Sequence, residues 1–217
     1  MTRAFAAEPI AAPLYGASPS PALLARLAGL TDDRGFTADA AAIAPHLLED
    51  RGVYRGTAAA LLRPRPTADV AAMLAACAEA GAAVTPHGGN TGHAAAGAPG
   101  GGVVLALDRM NAIRSLDPVD MTMPVDAGCV LQTVKDAAAA EGLLFPLALG
   151  SQGSCQIGGV LSTNAGGVNT LRYGNARDLA LGLEVALADG TVWSRLNPLR
   201  KDNAGYALRH LFIGAEG

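Results

Sequence analysis

The chain has 217 residues, a formal net charge of −3, 50% hydrophobic residues and 16% charged residues. This composition supports a folded core and excludes a chain that is disordered throughout. Its Lys and Arg residues form no basic stripe, which excludes nucleic acid as a main partner because phosphate binding needs clustered cations.

The cysteines and the N-terminal residues indicate the cellular compartment of the protein. Cys77, Cys129 and Cys155 lie far apart and form no C-x-x-C pair, a sparse set that fits reducing conditions. No apolar run reaches the roughly 18 residues needed to span a bilayer. The proline-rich first 20 residues resemble neither a secretory signal nor a transit peptide. We therefore expect a cytoplasmic protein without a transmembrane segment.

Residues 1–52 predict an N-terminal extension with short helices, ahead of a main domain at 53–217. Residues 1–21 are rich in Ala, Pro and Ser and predict a loose segment. A helix is expected at 21–30, with Ser20 as its cap and Pro21 near its first position. A second helix is expected at 38–49.

Strands and helices then follow one another without strict βαβ alternation, so the expected fold class is α+β. A strand at 58–62 is followed by a helix at 67–80, which Thr67 should cap and Gly81 should end. The remaining predicted elements are strands at 82–85, 103–107, 113–116 and 123–125, a helix at 131–140, a hairpin over 179–193 with Asp189-Gly190 as its turn, and a last helix at 206–212 capped by Asp202 or Asn203.

The segment Pro86-His-Gly-Gly-Asn-Thr-Gly92 directly follows a predicted strand. Adjacent glycines allow consecutive backbone N–H groups to point into one concavity, which binds anions such as pyrophosphate. The segment has neither the lysine of a Walker loop nor the G-x-G-x-x-G spacing. A tight surface turn is the alternative interpretation.

A second glycine-rich segment, at 150–167, is rich in Gly and Ser and carries few charges. This composition suits a buried backbone that lines an elongated polar ligand, because neutral donors avoid the desolvation cost of charges. The alternative is a flexible linker. Ile157, Val160 and Leu161 argue against it, since linkers rarely carry three core-type residues so close together.

Several motifs occur in a recognisable order: Pro86-x-Gly-Gly-Asn-Thr-Gly92, Gly153-Ser-Cys-Gln-Ile-Gly-Gly159, Ser162-Thr-Asn-Ala-Gly-Gly167, Leu199-Arg-Lys-Asp-Asn203 and Phe212-Ile-Gly-Ala-Glu-Gly217. Over residues 51–217 the chain resembles the FAD-linked oxidases of the vanillyl-alcohol-oxidase type. Within them it is most similar to the branch of D-2-hydroxyglutarate dehydrogenase, D-lactate dehydrogenase and the glycolate oxidase flavin subunit.

The resemblance implies a two-lobed PCMH-type FAD-binding domain that is C-terminally truncated, without the substrate-binding cap domain. It implies that the first loop grips the pyrophosphate and that the second segment lines the path of the ribityl chain and isoalloxazine ring. The candidate cofactor-binding residues are Pro86, His87, Gly88, Gly89, Asn90, Thr91, Gly92, Gly150, Gly153, Ser154, Ile157, Gly158, Gly159, Ser162, Asn164, Gly166, Glu216 and Gly217.

Individual residues refine this picture. Covalent flavoproteins of this type often carry His at the position of Asn90, so the resemblance implies non-covalent FAD. His87 could contact a phosphate, but a solvated loop histidine is the preferred interpretation. Cys155 is expected to pack near the flavin rather than act as a nucleophile. No two histidines have the spacing of metal ligands, and no catalytic base is assigned.

The resemblance thus implies an FAD-dependent oxidoreductase that oxidises a D-2-hydroxy acid, such as 2-hydroxyglutarate or lactate, and passes the electrons to an unassigned acceptor. Whether the protein forms a homo-oligomer is left open. Three alternatives remain: a non-catalytic truncated remnant, the nucleotide-binding subunit of a split enzyme, or a flavoenzyme with a different cap.

Overall fold

Short elements make up the chain, and the computed structural model describes them over residues 9–11 and 14–217. In chain order they are β1 (Ile10–Ala11), α1 (Pro21–Ala28), β2 (Phe36–Thr37), α2 (Ala40–Ile43), a 3₁₀ helix (Ala44–His46), β3 (Tyr54–Arg55), β4 (Ala60–Leu62), α3 (Thr67–Glu79), β5 (Val84–His87), β6 (Val103–Ala106), α4 (Leu131–Ala140), α5 (Ile157–Ser162), α6 (Thr170–Tyr173), α7 (Ala176–Leu179), β7 (Leu183–Ala186), β8 (Val192–Arg195) and a second 3₁₀ helix (Leu208–Leu211).

A four-stranded sheet of order β2-β4-β6-β5 organises the first lobe. β4, β6 and β5 run parallel, and β2 is antiparallel to β4. Side chains alternate across the sheet, so Leu61 and Val104 pack with Ile43 on one face. Leu62 and Val103 face α1 and α3 on the other side, in a core that includes Leu27, Met73 and Cys77.

The second lobe has a separate apolar core, built from α4, α5 and α7. Leu131, Leu147, Cys155, Val160 and Ala176 are its buried members. Two cores, one on each side of a groove, give the two-lobed α+β architecture that the sequence predicted.

Several elements were predicted correctly from local sequence signals. The Ser20 hydroxyl oxygen accepts a hydrogen bond from the Leu23 N–H at 3.2 Å, as expected of a helix cap. The Asp189-Gly190 turn joins β7 to β8, and Gly190 has φ +85°. A Cβ on Gly190 would lie 2.6 Å from the Ala71 carbonyl oxygen, so the turn packs directly on α3.

Thr67 has a different role from the predicted one. It is the first residue of α3 and Pro66 occupies the capping position. The Thr67 hydroxyl instead donates a hydrogen bond to Glu184 on β7, at 2.7 Å. A contact between distant segments therefore replaces the predicted local cap.

Four predicted elements are shorter than expected. The helix expected at 38–49 ends as an α-helix at Ile43 and continues as one 3₁₀ turn that contains Pro45. The edge strands expected at 113–116 and 123–125 form one bridge, Ile113 with Val125, and a second bridge joins Asp117 to Thr122 in the turn between them. The helix expected at 206–212 is the 3₁₀ helix Leu208–Leu211.

The N-terminal segment is described in part. Residues 1–8 and 12–13 of the predicted extension lie outside the described residues. Helix α1 packs on α3 through Leu23 and Leu27, and β2 pairs with β4. The domain boundary at residue 52 stays a prediction. Among the described residues, no helix is both long and apolar enough to cross a bilayer.

Candidate functional site

The two glycine-rich segments meet in space. A Cβ on Gly89 would lie 2.1 Å from the Ser154 carbonyl oxygen, so the two backbones are in direct contact there. A Cβ on Gly88 would lie 3.6 Å from Oε1 of Gln156. Both segments line one cleft of about 2090 Å³ between the lobes, which is large enough for a dinucleotide-sized ligand.

The first segment leaves the sheet at the carboxyl end of β5, where His87 is the last strand residue. The backbone N–H groups of Gly89, Asn90, Thr91 and Gly92 donate no hydrogen bond to any residue that the structure describes. A run of such donors at the end of a parallel strand is an anion-binding arrangement.

Asn90 holds this loop in place. It has φ +51°, and its side-chain amide donates to the Leu48 carbonyl oxygen at 2.8 Å. The side-chain amide of this candidate cofactor-binding residue therefore has a protein partner. Its observed contact holds the loop against the segment before β3.

His87 is buried, with 3% of its surface exposed, so the interpretation as a solvated loop histidine is wrong. Its Nε2 lies 2.9 Å from the Gly97 carbonyl oxygen and its Nδ1 lies 3.1 Å from Nδ1 of His46. Burial lowers the pKa of His87 below its ordinary value of 6.5. Nε2 of His87 thus joins the two ends of the 88–97 loop, and Nδ1 joins the loop to the 3₁₀ helix that contains His46.

The second segment contains α5, which sequence reasoning described only as lining backbone. Its start is fixed by two contacts with the chain before α4: the Ile157 N–H donates to Cys129 at 2.9 Å and the Gly158 N–H donates to Ala127 at 2.7 Å. Gly158 packs closely against this chain, since a Cβ there would lie 3.0 Å from the Ala127 Cβ. At Gly159, on the cleft side, a Cβ would meet no atom within 4 Å.

The last residues of the chain close one side of the cleft. The Glu216 N–H donates to the Ser162 carbonyl oxygen at 2.9 Å. A Cβ on Gly217 would lie 3.6 Å from both Pro86 and the Ser162 hydroxyl. Arg177 supports this segment by donating to the carbonyl oxygens of His210 and Ile213.

Most of the predicted site residues lie together. Those that line the cleft are Pro86, His87, Gly88, Gly89, Asn90, Thr91, Gly92, Gly150, Ser154, Ile157, Gly158, Gly159, Ser162, Glu216 and Gly217. Gly153, Asn164 and Gly166 are not part of the lining. Asn164 accepts from the Arg177 N–H at 3.0 Å, and a Cβ on Gly166 would lie 2.4 Å from Oδ1 of Asn175. Asn164 and Gly166 thus have observed roles in packing the second lobe.

The lining also includes Gln156, which the sequence did not mark as a site residue, and Cys155, which was expected to pack near the flavin. Both lie in the second segment and are buried. Burial raises the pKa of Cys155, which keeps its thiol protonated and fits packing rather than nucleophilic chemistry. The signal that could have identified Gln156 from the sequence was its position inside the recognised motif at 153–159.

Acidic side chains outnumber basic ones in the lining of the cleft, which includes Asp50, Asp126, Glu184 and Glu216. Arg114 is the only Lys or Arg among the described lining residues, and it pairs with Asp126 at 2.7 Å and with Glu184 at 3.4 Å. An anionic ligand in this cleft would therefore rely on backbone N–H groups rather than on a free cation. Among the described residues, no three His, Cys, Asp or Glu side chains form a group suited to a metal ion.

Comparison with known sequences assigns the family. A sequence profile for the FAD binding domain matches residues 58–194, which hold both glycine-rich segments. The chain belongs to this FAD-binding domain family. Its cofactor is accordingly FAD.

Curated relatives support a narrower grouping within the FAD-binding domain family. The chain is 48% identical over 164 residues to a protein from Bos taurus named D-2-hydroxyglutarate dehydrogenase, covering 75% of this chain and 30% of that protein. It is 46% identical over 165 residues to D-2-hydroxyglutarate–pyruvate transhydrogenase from Saccharomyces cerevisiae, covering 76% of this chain and 33% of that protein. The chain thus spans about a third of the length of these relatives.

Solved structures agree on the fold. An alkyldihydroxyacetonephosphate synthase superposes with a TM-score of 0.80 at 19% identity, over 96% of this FAD-binding chain and 43% of that protein. At this identity the likeness shows a shared fold only, and it confirms the two-lobed architecture.

The expected location is overturned by the same relatives. Those from Bos taurus, Danio rerio and Arabidopsis thaliana are named as mitochondrial enzymes. The cytoplasmic prediction is therefore wrong. It rested on cysteine usage and on the composition of the first 20 residues, and reducing conditions are not confined to the cytoplasm.

The residues fit FAD on structural grounds. FAD is long, bears a pyrophosphate and offers sugar hydroxyls. The cleft supplies an open glycine face at Gly159 and N–H groups at Gly89–Gly92 that have no partner among the described residues. These features match an elongated, polar and anionic ligand.

Proposed function

We propose that this chain is the FAD-binding part of a dehydrogenase that oxidises a D-2-hydroxy acid, such as D-2-hydroxyglutarate or D-lactate. Relatives at 43% to 48% identity are named for D-2-hydroxyglutarate, and one from Schizosaccharomyces pombe at 42% identity is named as a putative D-lactate dehydrogenase; these names support the substrate class. The direct contact between Gly89 and Ser154 carries the structural side of the proposal, because it brings both glycine-rich segments to one cleft.

In this proposal the N–H groups of Gly89–Gly92 bind the pyrophosphate. Residues further along the cleft bind the flavin half: Ser154, Ile157, Gly158, Gly159, Ser162, Glu216 and Gly217. When bound, FAD supplies the acceptor for the two electrons that leave the substrate. The chain itself orients the cofactor and excludes water from one of its faces.

Asn164 and Gly166 would support the frame around the site rather than touch the cofactor, and Gly153 lies outside the cleft lining. We retain residues 53–217 as the FAD-binding domain.

We propose that FAD is held non-covalently. The Asn90 amide is not a nucleophile and donates to Leu48. Both ring nitrogens of His87 lie close to protein partners, and His93 is 69% exposed beside Asp50. Acid precipitation of the holoprotein should release all the flavin to the supernatant. Flavin that stays with the precipitated protein would contradict this mode of binding.

The activity is tested on the full-length gene product loaded with FAD. Under anaerobic conditions, D-2-hydroxyglutarate or D-lactate should bleach the flavin absorbance, whereas the L-enantiomers should leave it unchanged. A protein that binds FAD but is reduced by neither D-hydroxy acid would contradict the proposed substrate class. It would leave FAD binding intact.

A further inference from the structure

Glu49 is a charged residue that is buried inside its own turn, with 3% of its surface exposed. Its carboxylate accepts hydrogen bonds from three backbone N–H groups that follow it in the chain. Oε2 accepts from Arg51 at 2.8 Å, and Oε1 accepts from Val53 and, at 3.3 Å, from Tyr54. These bonds, with that from Arg51 first, lower the pKa of Glu49 below its ordinary value of 4.5. The turn over 49–54 is therefore built around a carboxylate.

This turn closes a short hairpin over residues 48–55, in which Leu48 forms an antiparallel bridge with Arg55. The hairpin precedes residues 58–194, the part of the chain that the FAD binding domain profile matches. It therefore lies outside the residues to which the family comparison assigns cofactor binding.

The chain that enters the hairpin runs along the loop that we assign to the pyrophosphate. Three contacts join alternate residues of this chain to the loop: His46 with His87, Leu48 with Asn90 and Asp50 with His93. The second is a hydrogen bond of 2.8 Å from the Asn90 amide to the Leu48 carbonyl oxygen. That carbonyl belongs to the peptide bond between Leu48 and Glu49, so the contacts that fix Glu49 also fix the acceptor.

Asn90 needs this acceptor to hold its conformation. Its φ of +51° lies in the left-handed region, which costs free energy in a residue that has a Cβ. The neighbouring N–H groups of Gly89–Gly92 donate to no residue that the structure describes. A loop that is held in its binding conformation before the ligand arrives loses less entropy when an anion binds. The contact with Leu48 thus preorganises the anion-binding N–H groups.

We propose that Glu49 is a positioning residue for the cofactor. Its carboxylate fixes the 49–54 turn, and the turn holds the Leu48 carbonyl oxygen where Asn90 and its loop require it. The inference rests on the proposed FAD site, but Glu49 is not part of the cleft lining and acts through Leu48 and Asn90. It extends the cofactor-binding machinery to a hairpin that precedes the matched domain.

The test compares Glu49→Ala with Glu49→Gln and Asp39→Ala in the full-length protein. Asp39 is a matched control, because its carboxylate also accepts from backbone N–H groups, those of Ala41 and Ala42, and lies outside the cleft lining. In a calorimetric titration, Glu49→Ala should bind FAD about five-fold or more weakly than wild type. Glu49→Gln should lie between the two, because its side chain retains one acceptor oxygen. Asp39→Ala should bind FAD as wild type does.

Two further measurements separate positioning from a general loss of stability. In Glu49→Ala, the affinity for ADP, which carries a pyrophosphate, should fall together with that for FAD. The affinity for riboflavin, which carries no phosphate, should not change. Asn90→Gly removes the amide while glycine accommodates the positive φ. Adding Glu49→Ala to Asn90→Gly should weaken FAD binding no further, because both changes remove the same contact.

FAD affinity equal to wild type in a folded Glu49→Ala protein would overturn the proposal. An equal loss of affinity for FAD, ADP and riboflavin would also overturn it, as would losses that add in the double variant. If Glu49→Ala does not fold, Glu49→Gln decides the question by the same titrations. A wild-type protein that binds no FAD would instead overturn the proposed function, a result distinct from equal FAD binding by wild type and variant.

Discussion

Nδ1 of His46 and Nδ1 of His87 lie 3.1 Å apart, next to the loop that we assign to the pyrophosphate. The Gly97 carbonyl oxygen, 2.9 Å from Nε2 of His87, can only accept, so we assign the His87 proton to Nε2. Nδ1 of His87 then accepts from Nδ1 of His46. The pair is satisfied when His87 is neutral, and a proton on Nδ1 of His87 would place two donors face to face.

This arrangement predicts a loss of stability in acid. Burial lowers the pKa of both histidines below 6.5. The charges of His87 and Arg63 lower the pKa of His46 further, whereas the carboxylate of Asp108 raises it. The unfolded chain takes up protons that the folded pair resists, so the contribution is present above pH 6.5 and is lost as the pH falls below it. Denaturant unfolding between about pH 8 and pH 5 measures the effect.

His46→Gln should flatten this pH dependence, because one titrating ring is removed while an amide donor remains for His87. His93→Gln is the control, since His93 is 69% exposed. An identical pH profile for His46→Gln and wild type would show that the pair does not titrate as described.

The hydroxyl of Thr67 should stabilise the contact between α3 and the β7–β8 hairpin. It donates to Glu184 at 2.7 Å, and this bond is the main cause of the lowered pKa of Glu184. Thr67→Val should cost about 1 kcal/mol of unfolding free energy, whereas Thr67→Ser should cost less. Hydrogen exchange should accelerate in β7 and β8 but not at the start of α3. Faster exchange at the start of α3 alone would support the helix cap expected from the sequence.

Arg177 should hold the 208–217 segment against the second lobe. It donates to two carbonyl oxygens, those of His210 and Ile213, which a shorter or apolar side chain would leave unpaired. Arg177→Met should lower the unfolding free energy by about 1–3 kcal/mol and accelerate exchange over 208–217. Arg172→Met is the control, because Arg172 is exposed and lies over the neighbouring Tyr173 ring at 5.2 Å. Equal protection of 208–217 in both variants would contradict this role.

The sequence predicted the elements whose signals are local. Ser20 caps α1 through a bond to a residue three positions away, and hydrogen bonds within residues 187–191 close the Asp189-Gly190 turn. Helix α5 was missed because Gly158 and Gly159 are poor helix formers. Its start depends on Ala127 and Cys129, which are distant in sequence. Such tertiary hydrogen bonds leave no mark in a single sequence.

In the candidate site, too, features set by local sequence were predicted and features set by tertiary contacts were not. The glycine motifs correctly located the cleft, because unhindered backbone is a property of the residues themselves. The structural roles of Asn164 and Gly166 depend on Arg177 and Asn175, which approach them only in the fold. The burial of His87 likewise depends on His46 and Gly97.

In the proposed site FAD passes over the open face of Gly159, and a single methyl group tests this arrangement most directly. Gly159→Ala adds a Cβ that meets no protein atom within 4 Å, inside a helix that alanine favours by about 1 kcal/mol. Gly29→Ala is the control, since Gly29 has helical φ −74° at the end of α1, away from the cleft. In a fluorescence titration, Gly159→Ala should bind FAD about ten-fold or more weakly than wild type and Gly29→Ala, with apoprotein stability unchanged or raised. FAD affinity equal to wild type in a folded Gly159→Ala protein would contradict the claim.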